Sequence, residues 1–179
     1  VSSHLTKNCV RPFLFLFILL PFSCLAQEVN PHHERHPLRL AVLIGHAAVP
    51  NVEDGGVLWV PAWGLDLDVP VSKRWSLGWH SDIEIENYLI ATASGQRVEL
   101  QTPVVSTVDI FYRLSNNLVV GLGPGTTYEQ GTWQPLWRIG LEGEVPLNDR
   151  WEFTPTMFVD QRYGGHTVWT VALGVAHYM

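Results

Sequence analysis

Trp75-Ser76-Leu77-Gly78-Trp79-His80-Ser81-Asp82-Ile83-Glu84-Ile85-Glu86 alternates without a break. Trp75, Leu77, Trp79, Ile83 and Ile85 share one phase, while Gly78, His80, Asp82, Glu84 and Glu86 share the other. Successive side chains of an extended chain leave opposite faces, so this stretch predicts a β-strand with one oily and one acidic side and excludes an amphipathic helix.

The same alternation recurs on both sides of it. Upstream, a strand near 38 to 49 sets Leu38, Leu40, Val42 and Ile44 against Arg39, Ala41 and Gly45, and one near 57 to 71 sets Trp59, Trp63, Leu65, Leu67, Val69 and Val71 against Ala62, Gly64, Asp66 and Asp68. The quoted strand extends over about 74 to 90. Downstream, strands are expected near 97 to 114 (polar face Arg97, Glu99, Thr107, Asp109, Arg113), 118 to 128 (Gly121, Gly123, Gly125) and 133 to 146 (Arg138, Gly140, Glu142, Glu144). Two more lie near 151 to 160 (Glu152, Thr154, Thr156, Asp160) and 167 to 179 (Thr170, Ala172, Gly174, Ala176). Val69-Pro70-Val71-Ser72-Lys73-Arg74-Trp75 returns as Val145-Pro146-Leu147-Asn148-Asp149-Arg150-Trp151, with Ser115-Asn116-Asn117 between them. These read as short turns, alternating with longer links at 50 to 56, 91 to 96, 129 to 132 and 161 to 166.

All eight tryptophans, Trp59, Trp63, Trp75, Trp79, Trp133, Trp137, Trp151 and Trp169, fall on the apolar phase. An eight-stranded barrel has an interior only just wide enough for side chains to fill, so these indoles must face outward. The expected fold is all-β: an eight-stranded antiparallel up-and-down transmembrane barrel with a lipid-facing exterior and a polar, acidic interior. Trp75, Trp79 and Trp151 follow short turns and the other five sit toward the longer loops, which predicts two aromatic girdles and both termini periplasmic.

Residues 1–26 read as a secretory signal: Lys7 and Arg11 precede the apolar run Phe13 to Leu20, too short to span, and a small residue, Ala26, precedes Gln27. Lipidation of Cys24 is the rival reading, though Pro21-Phe22-Ser23 fits a lipobox poorly. Both cysteines, Cys9 and Cys24, lie in this segment. Residues 27–37 are a polar, proline-bounded periplasmic tail, and 38–179 form the barrel. After cleavage, 9 basic residues face 17 acidic ones, a formal charge of 9 − 17 = −8, and no basic stripe supports nucleic-acid binding.

Strand count, face polarity and turn asymmetry over about 38–179 make the chain similar to the small eight-stranded outer-membrane barrels of the OmpX and OmpA-barrel type. That resemblance implies an outer-membrane location in a Gram-negative-type bacterium, contact with outer-membrane lipid and the barrel-insertion machinery, and a monomer. Those families usually end in an aromatic residue, whereas this sequence ends His177-Tyr178-Met179. They include anchors, adhesion and defence proteins, narrow pores and lipid-modifying enzymes, so the external ligand stays unknown.

The candidate site is the inward stripe Asp66, Asp68, His80, Asp82, Glu84 and Glu86, joined by Asp109, Glu142 and Glu144. Buried charge survives when paired, so Arg39, Arg97, Arg113 and Arg138 are the expected partners and the barrel a non-enzymatic structural or surface-interaction protein with a charge-filled lumen. A narrow cation-preferring pore is the functional alternative. A Ca²⁺ site lacks calcium-loop spacing, and His32, His33 and His36 with Glu34 read as a solvated tail before a Zn²⁺ or Cu²⁺ site, so no metal and no cofactor is assigned. Gly121-Leu122-Gly123-Pro124-Gly125 opens no helix and lacks the Lys of a phosphate loop; its glycines make room for larger side chains opposite. A lipid-modifying enzyme needs a nucleophile and base on one face, but His80 and the adjacent Ser81 point apart, and His46 and His177 have the outward phase. A soluble lipocalin-like barrel shares the alternation, yet Lys73 is the one lysine after cleavage, too few for solvent-facing strands.

Overall fold

The computed structural model describes residues 38–50, 56–85, 87–91, 97–129, 131–163 and 166–179. The signal and tail readings, Glu86 and the inner parts of the longer links lie outside the described residues.

Among the described residues there are eleven strands: β1 Arg39–Pro50, β2 Val57–Pro70, β3 Trp75–Glu84, β4 Asn87–Ala91, β5 Arg97–Gln101, β6 Val104–Ser115, β7 Leu118–Glu129, β8 Thr132–Gly143, β9 Val145–Pro146, β10 Trp151–Arg162 and β11 Thr167–Tyr178. All pairings are antiparallel, in the order β11-β1-β2-β3-β6-β7-β8-β10, with β9 carrying the β8 wall onward along β10. Because β11 pairs with both β10 and β1, the sheet closes on itself as an eight-stranded barrel without a free edge. Twelve-residue strands such as β1 reach about 40 Å, enough when tilted to cross a hydrocarbon core of about 30 Å.

One expectation is corrected here. The strands anticipated near 74 to 90 and 97 to 114 are each broken, and their distal parts, β4 and β5, pair only with each other as a separate two-stranded ribbon. Pro103 has no N–H to donate to a ladder, and Thr102 turns to φ 46°. Glu84 N–H therefore bonds Pro103 O, and Ile85 N–H turns to Pro61 O. Arg97 consequently belongs to the ribbon and not to the barrel wall.

Facing follows the period of two. The eight indoles are between 42% and 62% exposed, and Val42, Ile44, Leu65, Ile110, Ile139 and Leu173 are exposed beside them. This sinks the lipocalin-like arrangement, which needs these side chains inside. Rings pair across strands toward both ends: Trp75 with Tyr112 and Trp151 with His177 at the end of the short turns, Tyr128 with Trp133 at the other. These are called the turn end and the loop end below.

Two kinds of interior result. Along the seam where first and last strands meet, Ala41, Leu43, Ala172 and Ala176 form one apolar cluster, and Ala47, Val49, Val60, Ala62 and Val168 form another toward the loop end. Around the rest of the wall the buried side chains are largely ionic.

Candidate functional site

Among the described residues nine carboxylates are buried inside: Asp66, Asp68, Asp82, Glu84, Asp109, Glu142, Glu144, Glu152 and Asp160. They come from β2, β3, β6, β10 and the β8–β9 wall, and alternation aims all of them at one axis. Leaving such charges unpaired in a dry interior costs far more than a fold can spare, and four arginines reach them.

Arg39, on the first strand, is the hub of the turn end. Its Nη1 donates to Asp68 at 2.6 Å, Nη2 to Glu142 at 2.5 Å and to Glu152 at 2.9 Å, and Nε to Glu152 at 3.1 Å. One guanidinium thus ties strands that are 29, 103 and 113 positions apart in sequence. Tyr178 donates its hydroxyl to Glu152 at 2.8 Å, and Arg113 grips Glu144 with both terminal nitrogens. Glu142, Glu144 and Glu152 each bring an oxygen within 4.8 Å of the others. That spacing suits a hard cation, but here Arg39 and Arg113 already sit against these oxygens.

At mid-height Arg138 meets Asp160 at 2.7 and 2.8 Å and Asp82 at 2.5 Å, while its guanidinium lies 3.8 Å over the Phe158 ring. His80 lies between acids, with Nε2 3.0 Å from Asp68 and Nδ1 3.3 Å from Asp66 and 4.0 Å from Asp109. Both ring nitrogens thus face carboxylate oxygens, and the imidazole is held among acids of β2 and β6. Phe111 stacks on it at 4.9 Å, and a Cβ at Gly78 or Gly121 would run into the Phe111 ring. The inward glycines therefore do make room for a larger neighbour. Thr107 donates to Asp109 at 2.5 Å.

Toward the loop end Arg162 of β10 crosses to Glu84 of β3, on the opposite side of the eight-stranded ring. His166 is buried beside it, and among the described residues neither ring nitrogen finds a hydrogen-bond partner; burial, and then the Arg162 charge, pushes it down to about 4. A cavity of about 60 Å³ lies at the turn end, bounded by Arg39, Asp68, Ser76, Phe111, Arg113, Glu142, Glu144 and Tyr178.

Of the expected lumen residues, Asp66, Asp68, His80, Asp82, Glu84, Asp109, Glu142, Glu144, Arg39 and Arg138 are buried inside, and Arg113 closes the turn end with a half-exposed side chain. Glu86 and the Arg97 side chain lie outside the described residues. Glu152 and Asp160, read on the inward phase but left out of the expected cluster, belong to it. Missed altogether are Arg162, His166 and Tyr178. Of these three, the first two sit where the sequence suggested a loop, and Tyr178 follows an outward residue in a tail that carried no charge signal. The period of two, continued two residues past Asp160, would have placed Arg162 inside.

No family model and no curated protein matches this sequence. Solved structures do match. Neisserial surface protein A aligns at 6% identity over 80% of this chain and 97% of its own, with a TM-score of 0.51. The N-terminal β-barrel domain of Pseudomonas aeruginosa OprF aligns at 11% identity over 79% and 97%, and the outer membrane protein OprG of the same organism at 11% over 79% and 96%, both with a TM-score of 0.50. At these identities the likeness establishes the fold, and the chain is built as a small eight-stranded barrel of the kind found in outer-membrane proteins.

Proposed function

We propose that this protein is a non-enzymatic barrel of a Gram-negative-type outer membrane, with both termini periplasmic and its lumen closed by ion pairs, serving as a structural or surface-interaction scaffold. The observation that carries the reading is the crosspiece geometry: Arg162 to Glu84 and Arg138 to Asp82 join walls that are not neighbours, so the lumen is filled by its own side chains. The exposed indole bands support placement in a bilayer, where amphipathic rings favour the interfaces, and outer-membrane lipid and the insertion machinery are then its partners, the barrel being a monomer.

A weak cation-preferring conductance is the second reading, favoured by nine interior acids against four arginines among the described residues. Planar-bilayer recordings on the purified chain decide between them, with Asp82→Asn plus Glu84→Gln as the comparison. Electrical silence of both proteins is the expected result. Cation-selective steps that the double substitution weakens would overturn the closed-lumen reading.

A further inference from the structure

The two matching turns at the turn end share their hydrogen bonding residue for residue. In the first, Val71 and Ser72 N–H donate to Trp75 O, and Ser72 Oγ accepts from Arg74 and Trp75 N–H. In the second, Leu147 and Asn148 N–H donate to Trp151 O, and Asn148 Oδ1 accepts from Arg150 and Trp151 N–H. Each turn ends in an indole packed on a ring of the neighbouring strand, Trp75 on Tyr112 at 4.7 Å and Trp151 on His177 at 4.6 Å. The backbone being the same, charge distinguishes them. The first presents Lys73 and Arg74, a double positive, whereas in the second Asp149 stands at the lysine position and cancels Arg150.

Arg74 is also pre-positioned. Its Nη1 donates to the Tyr112 hydroxyl at 3.1 Å, which holds the guanidinium at the rim of the exposed apolar surface and leaves its remaining N–H groups outward. Below it Leu77 and Ile110, paired across β3 and β6, are both exposed on the lipid side. Two cations over an aromatic pair over an aliphatic wall match, in order, the phosphodiester, glycerol and acyl regions of a lipid.

We propose that Lys73 and Arg74 form a seat for one anionic glycerophospholipid, with the phosphodiester on the guanidinium and ammonium groups and an acyl chain along Leu77 and Ile110. The seat rests on the membrane-barrel reading but not on which side the termini occupy.

Native mass spectrometry of the full chain refolded in micelles doped with equal phosphatidylglycerol, phosphatidylcholine and lipid A tests it, with heat-modifiable gel mobility as the folding control. The wild type should retain one phosphatidylglycerol in about tenfold preference, as two interfacial cations supply. Lys73→Gln with Arg74→Gln should bring that preference to parity, and Asp149→Lys should add a second phosphatidylglycerol at the matching turn. Equal retention of the two glycerophospholipids by the wild type, a preference surviving the double substitution, or stronger retention of lipid A would overturn the seat. If the double variant fails to fold, Asp149→Lys decides alone: a second adduct supports the proposal and none refutes it. Failure of the membrane reading itself would look different, as a wild type that gains no heat-modifiable form in any lipid.

Discussion

The apolar seam and the ionic remainder of the barrel wall solve the same problem oppositely. Where β11 meets β1, beyond Arg39 at the turn end, the inward side chains are mostly small or apolar, Ala41, Gly45, Ala47, Ala172, Gly174 and Ala176 with a few branched neighbours, and these bury without needing ionic partners. Elsewhere around the ring, long charged side chains from β3, β8 and β10 reach inward and must be paired. The two depend on one another. A small seam leaves the volume into which arginines and the Phe111 and Phe158 rings extend, since an eight-stranded interior holds only what its side chains can share. Apolar seam contacts add roughly in proportion to area, whereas the ionic contacts are shared: Arg39 answers three acids and Arg138 two, so the loss of either guanidinium strands its partners together.

The largest effect is therefore expected at the hub. Arg39→Met should destabilise the barrel by about 3–5 kcal/mol, because Asp68, Glu142 and Glu152 lose a common partner at once. Urea titration in lipid, followed by heat-modifiable mobility, measures it. A cost below that of a single apolar truncation would mean that the acids are held by water or protons and that the contrast between seam and remainder is wrong.

A smaller cost is expected on the seam. Val49→Thr and Val60→Thr keep shape but bury a hydroxyl in the cluster with Ala47, Ala62 and Val168, at about 1–3 kcal/mol each without a partner. The same titration reads the loss, and bilayer recordings of the double variant report whether wetting this cluster admits ions. Neutral substitutions would place water there already.

The smallest effect concerns His166. Its value near 4 lies below the ordinary 6.5, so the folded protein binds fewer protons than the unfolded chain between those limits. The contribution is fully present above about pH 6.5 and is lost as pH falls toward 4. His166→Leu should accordingly lessen the acid sensitivity of stability over that window, read as the difference between wild-type and variant midpoints at pH 7 and pH 5. Parallel pH profiles would show that the ring is hydrated and titrates normally.

How much of this was legible divides along a physical line. Strand number, the outward phase of all eight tryptophans and the inward phase of Asp66, His80, Asp82 and Glu142 were readable, because alternation of side chains is a property of each extended segment alone. The break at Thr102 and Pro103 was missed: the apolar period runs on past it, and a missing N–H matters only once the neighbouring strand is in place. The small inward residues of the first and last strands were readable too, but not that they gather into apolar clusters. Ala47, Val49, Val60 and Val168 lie on the polar phase of their strands, but their meaning depends on β1 and β11 becoming neighbours.

By itself, then, the sequence determined a closed all-β barrel with an apolar outside and charged residues turned inward, since period, turn spacing and the volume of eight indoles are local or additive quantities. Only the tertiary structure decided which charges meet. Arg39 reaches Glu152 across 113 positions because the last strand closes against the first, and Arg162 finds Glu84 because eight strands set β10 opposite β3. Ion pairing depends on distance after closure, and closure is a property of the whole sheet.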